Sequence, residues 1–256
     1  MDVVLWAQTA WDWAVGAVEF IGTRFPSYLE GAKFTVLATL GGAALGFVLA
    51  MVIGIAGTTR SRALRAVATV YTETFRGVSA LVLMFWAAFA IPNVTSFTFE
   101  PLTAGIVALG VNIGAYGAEV VRAAINAVPR SQVEATIALN MTWTRRMWSV
   151  ILPQAWAQML PTFGNLVIEL MKATAVISLI GVTDIMWSAD LARSSTFETV
   201  YAYGWALVMY FVFAQILVFL MRLLERHANR RLGRASGTGF WSLLRPPSIT
   251  TAGGAR

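Results

Sequence analysis

Three pairs of opposite charge stand inside otherwise apolar sequence: Glu73 with Arg76, Glu119 with Arg122, and Glu169 with Lys172, each at i,i+3. On a helix this spacing places both members on one face. Charges at membrane depth are costly unless paired or facing water, so each pair is a functional candidate. Arg76 and Arg122 fall near the ends of their apolar runs, where snorkelling and contacts with another subunit account for them. Glu169 and Lys172 lie deeper, and Asn165 precedes Glu169 by one turn. Together they present both signs of charge and an amide, which suits either a pathway for a zwitterionic solute or a structural pair between packed helices.

Catalysis fits these residues poorly. An intramembrane hydrolase needs two converging acids or an activated nucleophile, and no such spacing occurs. No G-x-x-x-x-G-K-[ST] phosphate loop and no H-E-x-x-H pair is present, the one histidine is His227 in a basic stretch, and cysteine is absent. The expectation is therefore no catalytic residue, no metal site and no cofactor bound by this chain. A channel or ion-driven carrier is the other competing class, but the internal repeats that favour a carrier are missing.

The elements that must position these groups are membrane helices. Hydrophobic residues make up 57% and charged residues 12% of the 256, against about 25% charged in a soluble domain. Five apolar runs, at about 34–57, 67–91, 101–124, 159–183 and 200–224, have the roughly 20 residues that cross a bilayer as a helix. The fold class expected is thus all-α and integral to the membrane, with about five spans. Met1 to Phe20 carries Asp2, Asp12 and Glu19 where a signal peptide would be basic. Its Trp6, Trp11, Trp13 and Phe20 suit a short interfacial helix. Gly42 with Gly46 and Gly110 with Gly114 form two GxxxG patterns, expected to pack helices within the subunit.

Orientation follows from the basic residues. Arg60, Arg62 and Arg65 lie between the first two runs, Arg130, Arg145 and Arg146 between the third and fourth, and Arg226, Arg230, Arg231 and Arg234 after the fifth. These segments should be cytoplasmic, with the N-terminus outside and the C-terminus inside. The net charge of +6 is explained by this distribution, so nucleic-acid binding is not expected. Three segments result: an external 1–32; a membrane domain 33–225 containing the loop 126–156; and a basic cytoplasmic tail 226–256, whose Gly, Ser, Thr and Pro content predicts disorder. Trp241, Leu243 and Leu244 in that tail could touch the membrane surface.

The loop holds VEATIALNMTWTRRMWSVILP at residues 133–153, far more polar than its surroundings. Ser131 and Glu134 have capping-box spacing, predicting a helix over about 132–139. Asn140 suits its end, because asparagine tolerates positive φ. Thr142 can cap a second helix through Ser149, and Pro153 predicts a break or kink.

This stretch resembles the "EAA" loop of permease subunits in ATP-binding-cassette importers: E-A-A, three residues, Gly, nine residues, I-x-L-P. Glu134, Ala135, Val150, Leu152 and Pro153 fall at that spacing, with Thr136 for the second Ala and Asn140 for the Gly. YTETFRGVSALVLMFW at 71–86 is similar to the second-span segment of the polar amino-acid permeases, although Val78 and Ser79 stand where Thr and Pro are common. GAYGAEVVRAAINAVPRSQVEA at 114–135 and LPTFGNLVIELMKATAVISLIGVTDI at 160–185 extend the resemblance. Within that family the ectoine and hydroxyectoine permeases look closest.

The resemblance implies a type I ABC importer permease of the bacterial inner membrane, for polar amino acids or compatible solutes. It implies that Glu134, Ala135, Asn140, Leu152 and Pro153 couple the chain to an ATPase, with Arg145 and Arg146 as contacts to that ATPase or to lipid. Implied partners are two copies of the ATPase, which would hold ATP and magnesium, a second homologous permease or a second copy of this chain, and an external solute-binding protein.

Overall fold

The computed structural model describes residues 2–95 and 97–231, and every regular element among them is helical. The tail from position 232 on, with Trp241, Leu243 and Leu244, lies outside the described residues.

Helix α1 runs unbroken from Asp2 to Gly57. At 1.5 Å per residue it is about 84 Å long, well beyond the roughly 30 Å hydrocarbon core. The short separate N-terminal helix expected from the tryptophans does not exist. Pro26, the one proline in α1, crowds the carbonyl one turn earlier. That residue is Gly22, and the helix passes through without a break.

Helix α5 (Pro101–Asn126) lies along α1, and the two GxxxG patterns face each other in this contact. A Cβ on Gly114 would sit 2.9 Å from Leu49 Cβ, and one on Gly110 would sit 3.0 Å from Leu45 Cβ. Both patterns are thus used inside the subunit, where backbone proximity replaces the hydrophobic drive that lipid removes.

The second expected run is not one helix. Helix α2 (Arg62–Gly77) ends at a 99° bend, and Val78 and Ser79 are extended. The chain resumes as α3 (Ala80–Phe85), a π turn (Trp86–Ala90) and α4 (Ile91–Thr95). Such a break leaves carbonyls that lipid cannot satisfy. Asn112 on α5 supplies them: its Nδ2 donates to Phe75 O at 2.8 Å and to Val78 O at 3.3 Å, while Tyr116 donates to Arg76 O at 3.3 Å.

After α5 come α6 (Arg130–Ala138), α7 (Trp143–Arg146), a π turn (Met147–Ile151), α8 (Leu152–Ala173) and a 3₁₀ segment (Thr174–Ile180). Helices α9 (Ile185–Thr196) and α10 (Thr199–Arg231) close the described chain. Among the described residues four helices are long and apolar enough to cross a membrane, and the bent pair makes five. Their small inner faces pack around Met84, Leu109 and Leu170, around Val121, Met147 and Met159, and around Tyr28 and Ile185. Outer faces expose Val52, Leu207 and Phe211, an apolar surface that only lipid or another subunit can cover.

At the α9 end, beyond the fourth span, a buried polar knot ties three helices. Asp184 has no exposed surface; its Oδ1 accepts from the Trp187 amide at 2.9 Å, and its Oδ2 from the Tyr210 hydroxyl at 3.1 Å. The Ile185 amide reaches Thr35 Oγ1 at 3.4 Å, and Ser188 donates to Ser27 O at 3.0 Å. Burial pushes the Asp184 carboxyl up to about 6, outweighing the hydrogen bonds that favour its charged form. A carboxyl whose folded value is raised holds its proton while the unfolded chain releases it, so stability is lost as pH rises from about 4 to about 6. That change is expected to reach about 2–3 kcal/mol. Asp184→Asn should flatten this portion of the pH–stability curve in melts of the solubilised chain; an unchanged slope would contradict it.

Candidate functional site

The loop joining α5 to α8 is built by two local stop signals. Helix α6 begins two residues earlier than the capping box required: Pro129 is the N-cap, its carbonyl accepts from the Gln132 and Val133 amides, and Ser131 lies inside the helix. No capping box forms, because the fixed φ of proline already sets the turn into the helix. The other end is as the sequence suggests. Asn140 has φ of +52°, its amide donates to Ile137 O at 2.9 Å, and the Met141 amide donates to Thr136 O at 3.0 Å. These two bonds are those of a Schellman turn, with asparagine in the left-handed position that glycine usually takes.

Thr142 then caps α7, its hydroxyl accepting from the Arg145 amide at 3.4 Å. The expected break at Pro153 is absent. A five-residue π turn immediately precedes it, the Leu152 amide still donates to Met147 O, and the helix carries on through Pro153 into α8. Residues Trp143–Ile180 consequently form one continuous span. Leu152 is buried with Met147 and Ile151, Gln154 donates to the Gln132 side chain, and the loop is thereby anchored to the membrane helices. Buried Thr136 satisfies its hydroxyl on Val133 O at 2.6 Å, which explains why it can stand in an alanine position. Glu134, Ala135, Asn140, Arg145 and Pro153 are exposed, and Arg146 is half-buried.

Of the three charge pairs, only Glu119 and Arg122 form an ion pair among the described residues, at 2.5 Å. Arg76 instead lies over the Tyr116 ring, 5.6 Å from its centre. Glu169 and Lys172 are both exposed on α8, make no ion pair with a described residue, and share a face with exposed Asn165 and Thr162. The loop and this face are separate sites on α8, one at its start and one in its second half.

Two features escaped sequence reasoning. Asn112 carries the bend between α2 and α3, and its signal was a lone amide within an apolar run. Arg60, from the α1–α2 connection, joins Arg130, Arg146 and Glu134 around one cleft. Nothing in the linear spacing of Arg60 and Arg130 announces that contact.

A broken second helix, a capped pair of short helices between two long ones, and no nucleotide-binding loop define the permease of a type I ABC importer. The chain belongs to the family of binding-protein-dependent transport system inner membrane components, whose profile matches residues 22–234. It is 39% identical over 209 residues to a probable amino-acid ABC transporter permease protein, y4tF, of Sinorhizobium fredii, covering 80% of this chain and 88% of that one. It is 31% identical over 203 residues to the arginine transport system permease ArtQ of Bacillus subtilis, covering 79% and 93%. The structure of an amino acid ABC transporter, described with histidines, superposes with a TM-score of 0.75 at 31% identity over 81% of this chain and 96% of the other. An inward-facing MetNI methionine transporter matches in fold, with a TM-score of 0.67 at 19% identity, covering 78% and 95%. The chain is thus a multi-pass inner-membrane permease subunit. ATP hydrolysis belongs to a separate ATPase, and a binding protein brings the solute.

Proposed function

We propose that this permease imports a small zwitterion of the polar amino-acid class, and that Asn165, Glu169 and Lys172 line its path. The observation that carries this is the exposed, unpaired face of α8, where a carboxylate, an ammonium and an amide stand within two turns. A structural pair would have closed on itself, as Glu119 and Arg122 do. The names of the relatives, an amino-acid permease and an arginine permease, support the class. The resemblance carried by FRGVSALVLMFW and NLVIELMKATAVISLIGVTDI supports ectoine or hydroxyectoine as the member.

Glu134, Ala135, Asn140, Leu152 and Pro153 couple the ATPase to α8, the exposed members as its contact and buried Leu152 as the anchor behind it, with Arg145 and Arg146 beside them. A capped, anchored lever transmits displacement that a loose loop would absorb. The assembly holds two ATPases, which bind ATP and magnesium, and pairs this chain with a homologous permease. Arg60, Arg130 and Arg146 gather at one end of the molecule, which supports that end as cytoplasmic and the start of α1 as external.

The test is ATP hydrolysis by the complex reconstituted with its binding protein, measured with ectoine, hydroxyectoine, arginine and glutamine in turn. One zwitterion is expected to stimulate hydrolysis severalfold, and Glu169→Gln with Lys172→Gln to remove that stimulation while sparing the basal rate. Transport by the chain without an ATPase would overturn the proposal.

A further inference from the structure

Between α6, the cytoplasmic end of α5 and the α1–α2 connection lies a cleft of about 560 Å³. Arg60, Arg130 and Arg146 line it, against one carboxylate, Glu134. None of the three guanidinium groups makes a hydrogen bond or ion pair with a described residue. Three like charges around one hollow repel each other, and arginine's planar donors are matched to phosphate oxygens. Thr58 and Asn126 add neutral polar groups to the same wall.

We propose that this cleft binds the phosphate headgroup of an anionic phospholipid in the cytoplasmic leaflet. The orientation comes from the proposed function above; the site itself does not require the ATPase. Two observations favour lipid over a carboxylate of the partner. The cleft is half apolar, with Ile125, Val128, Ile137 and Ile151 beside the arginines and Trp143 at its edge, the mixture expected where headgroup meets acyl chain. The part of the loop that projects furthest, Leu139 at 75% exposed, is not among the cleft residues. The projecting tip lies outside the cleft and is free for a protein, while the cleft is turned to the helices and meets the proposed ATPase contact only at Glu134 and Arg146. A lipid seated there would brace α6 against α1 and make the lever sensitive to bilayer composition.

The experiment is native mass spectrometry of the full-length chain, released from micelles that carry phosphatidylglycerol and phosphatidylcholine in equal amounts. Preferential retention of phosphatidylglycerol is expected. At the usual contribution of a basic residue near an anionic surface, Arg60→Gln with Arg130→Gln and Arg146→Gln should weaken that preference on the order of a hundredfold. Arg62→Gln, the same charge change outside the cleft, should leave it intact. If the triple variant fails to fold, each single variant should still lose about fivefold. Equal retention of the two lipids by the wild type, or no loss in the variants, overturns the proposal. Inorganic phosphate that displaces the lipid at equal affinity would make this a soluble-anion site and also overturn it. Because the measurement uses the chain without ATPase or solute, its outcome is independent of whether the transport proposal stands.

Discussion

Asn140→Val is expected to reduce ATPase capture and ATP-driven uptake by about tenfold or more, whereas Asn140→Gly leaves both near wild type. The φ of +52° at Asn140 lies in the left-handed region, which costs an L-residue about 1–2 kcal/mol and a β-branched one more. Asparagine tolerates it and glycine adopts it freely. Valine must either pay the strain or leave the region, and leaving breaks the Asn140 and Met141 amide bonds that close α6. Helix α7 would then no longer follow α6 at a fixed angle. Glu134→Lys tests the same contact chemically: the residue is exposed and outside every hydrogen bond within α6's side chains, so its loss should reduce ATPase association without affecting insertion or melting. Pull-down of ATPase by the solubilised permease, alongside uptake in proteoliposomes, reads both variants. Unchanged capture in Asn140→Val would detach the turn from coupling.

What the sequence made legible followed local rules. The spans appeared because about 20 apolar residues suffice to cross, and the turn at Asn140 because few residue types accept positive φ. Thr142 capped its helix because a hydroxyl before an arginine-rich turn has nearby amides to accept from. The failures were those where a distant residue decides. Residues 67–91 looked like one run, but Asn112, 34 residues beyond Val78, makes the break affordable by donating to its carbonyls. Ser131 and Glu134 had the spacing of a cap, yet Pro129 began the helix first. The i,i+3 charge pairs were identical in spacing, and only Glu119 with Arg122 closed; Arg76 was drawn to a ring on another helix. Spacing fixes which groups share a face, and the neighbouring helix fixes what they touch.

Gly31→Ala is expected to be the most damaging glycine-to-alanine change among the described residues. Helix α1 crosses the start of α9 at this residue, and a Cβ there would lie 2.5 Å from Asp184 O, 2.6 Å from its carbonyl carbon and 2.8 Å from the Ile185 amide nitrogen. These are backbone atoms at a helix N-terminus, so no rotamer change relieves the clash. The helices must separate, and separation pulls on the Ile185 to Thr35 and Ser188 to Ser27 bonds directly and shifts Asp184 relative to Tyr210 on α10. Overpacking of this kind costs about 1–3 kcal/mol, and opening the knot leaves a buried carboxyl short of a donor at a further cost of about 1–3 kcal/mol. The matching control is Gly22→Ala on the same helix, where a Cβ meets nothing within 4 Å and the better helix propensity of alanine should raise stability by up to about 1 kcal/mol. Thermal melts of the two variants in detergent should therefore move in opposite directions. A Gly31→Ala protein that melts with the wild type would show that α1 and α9 do not meet at this distance.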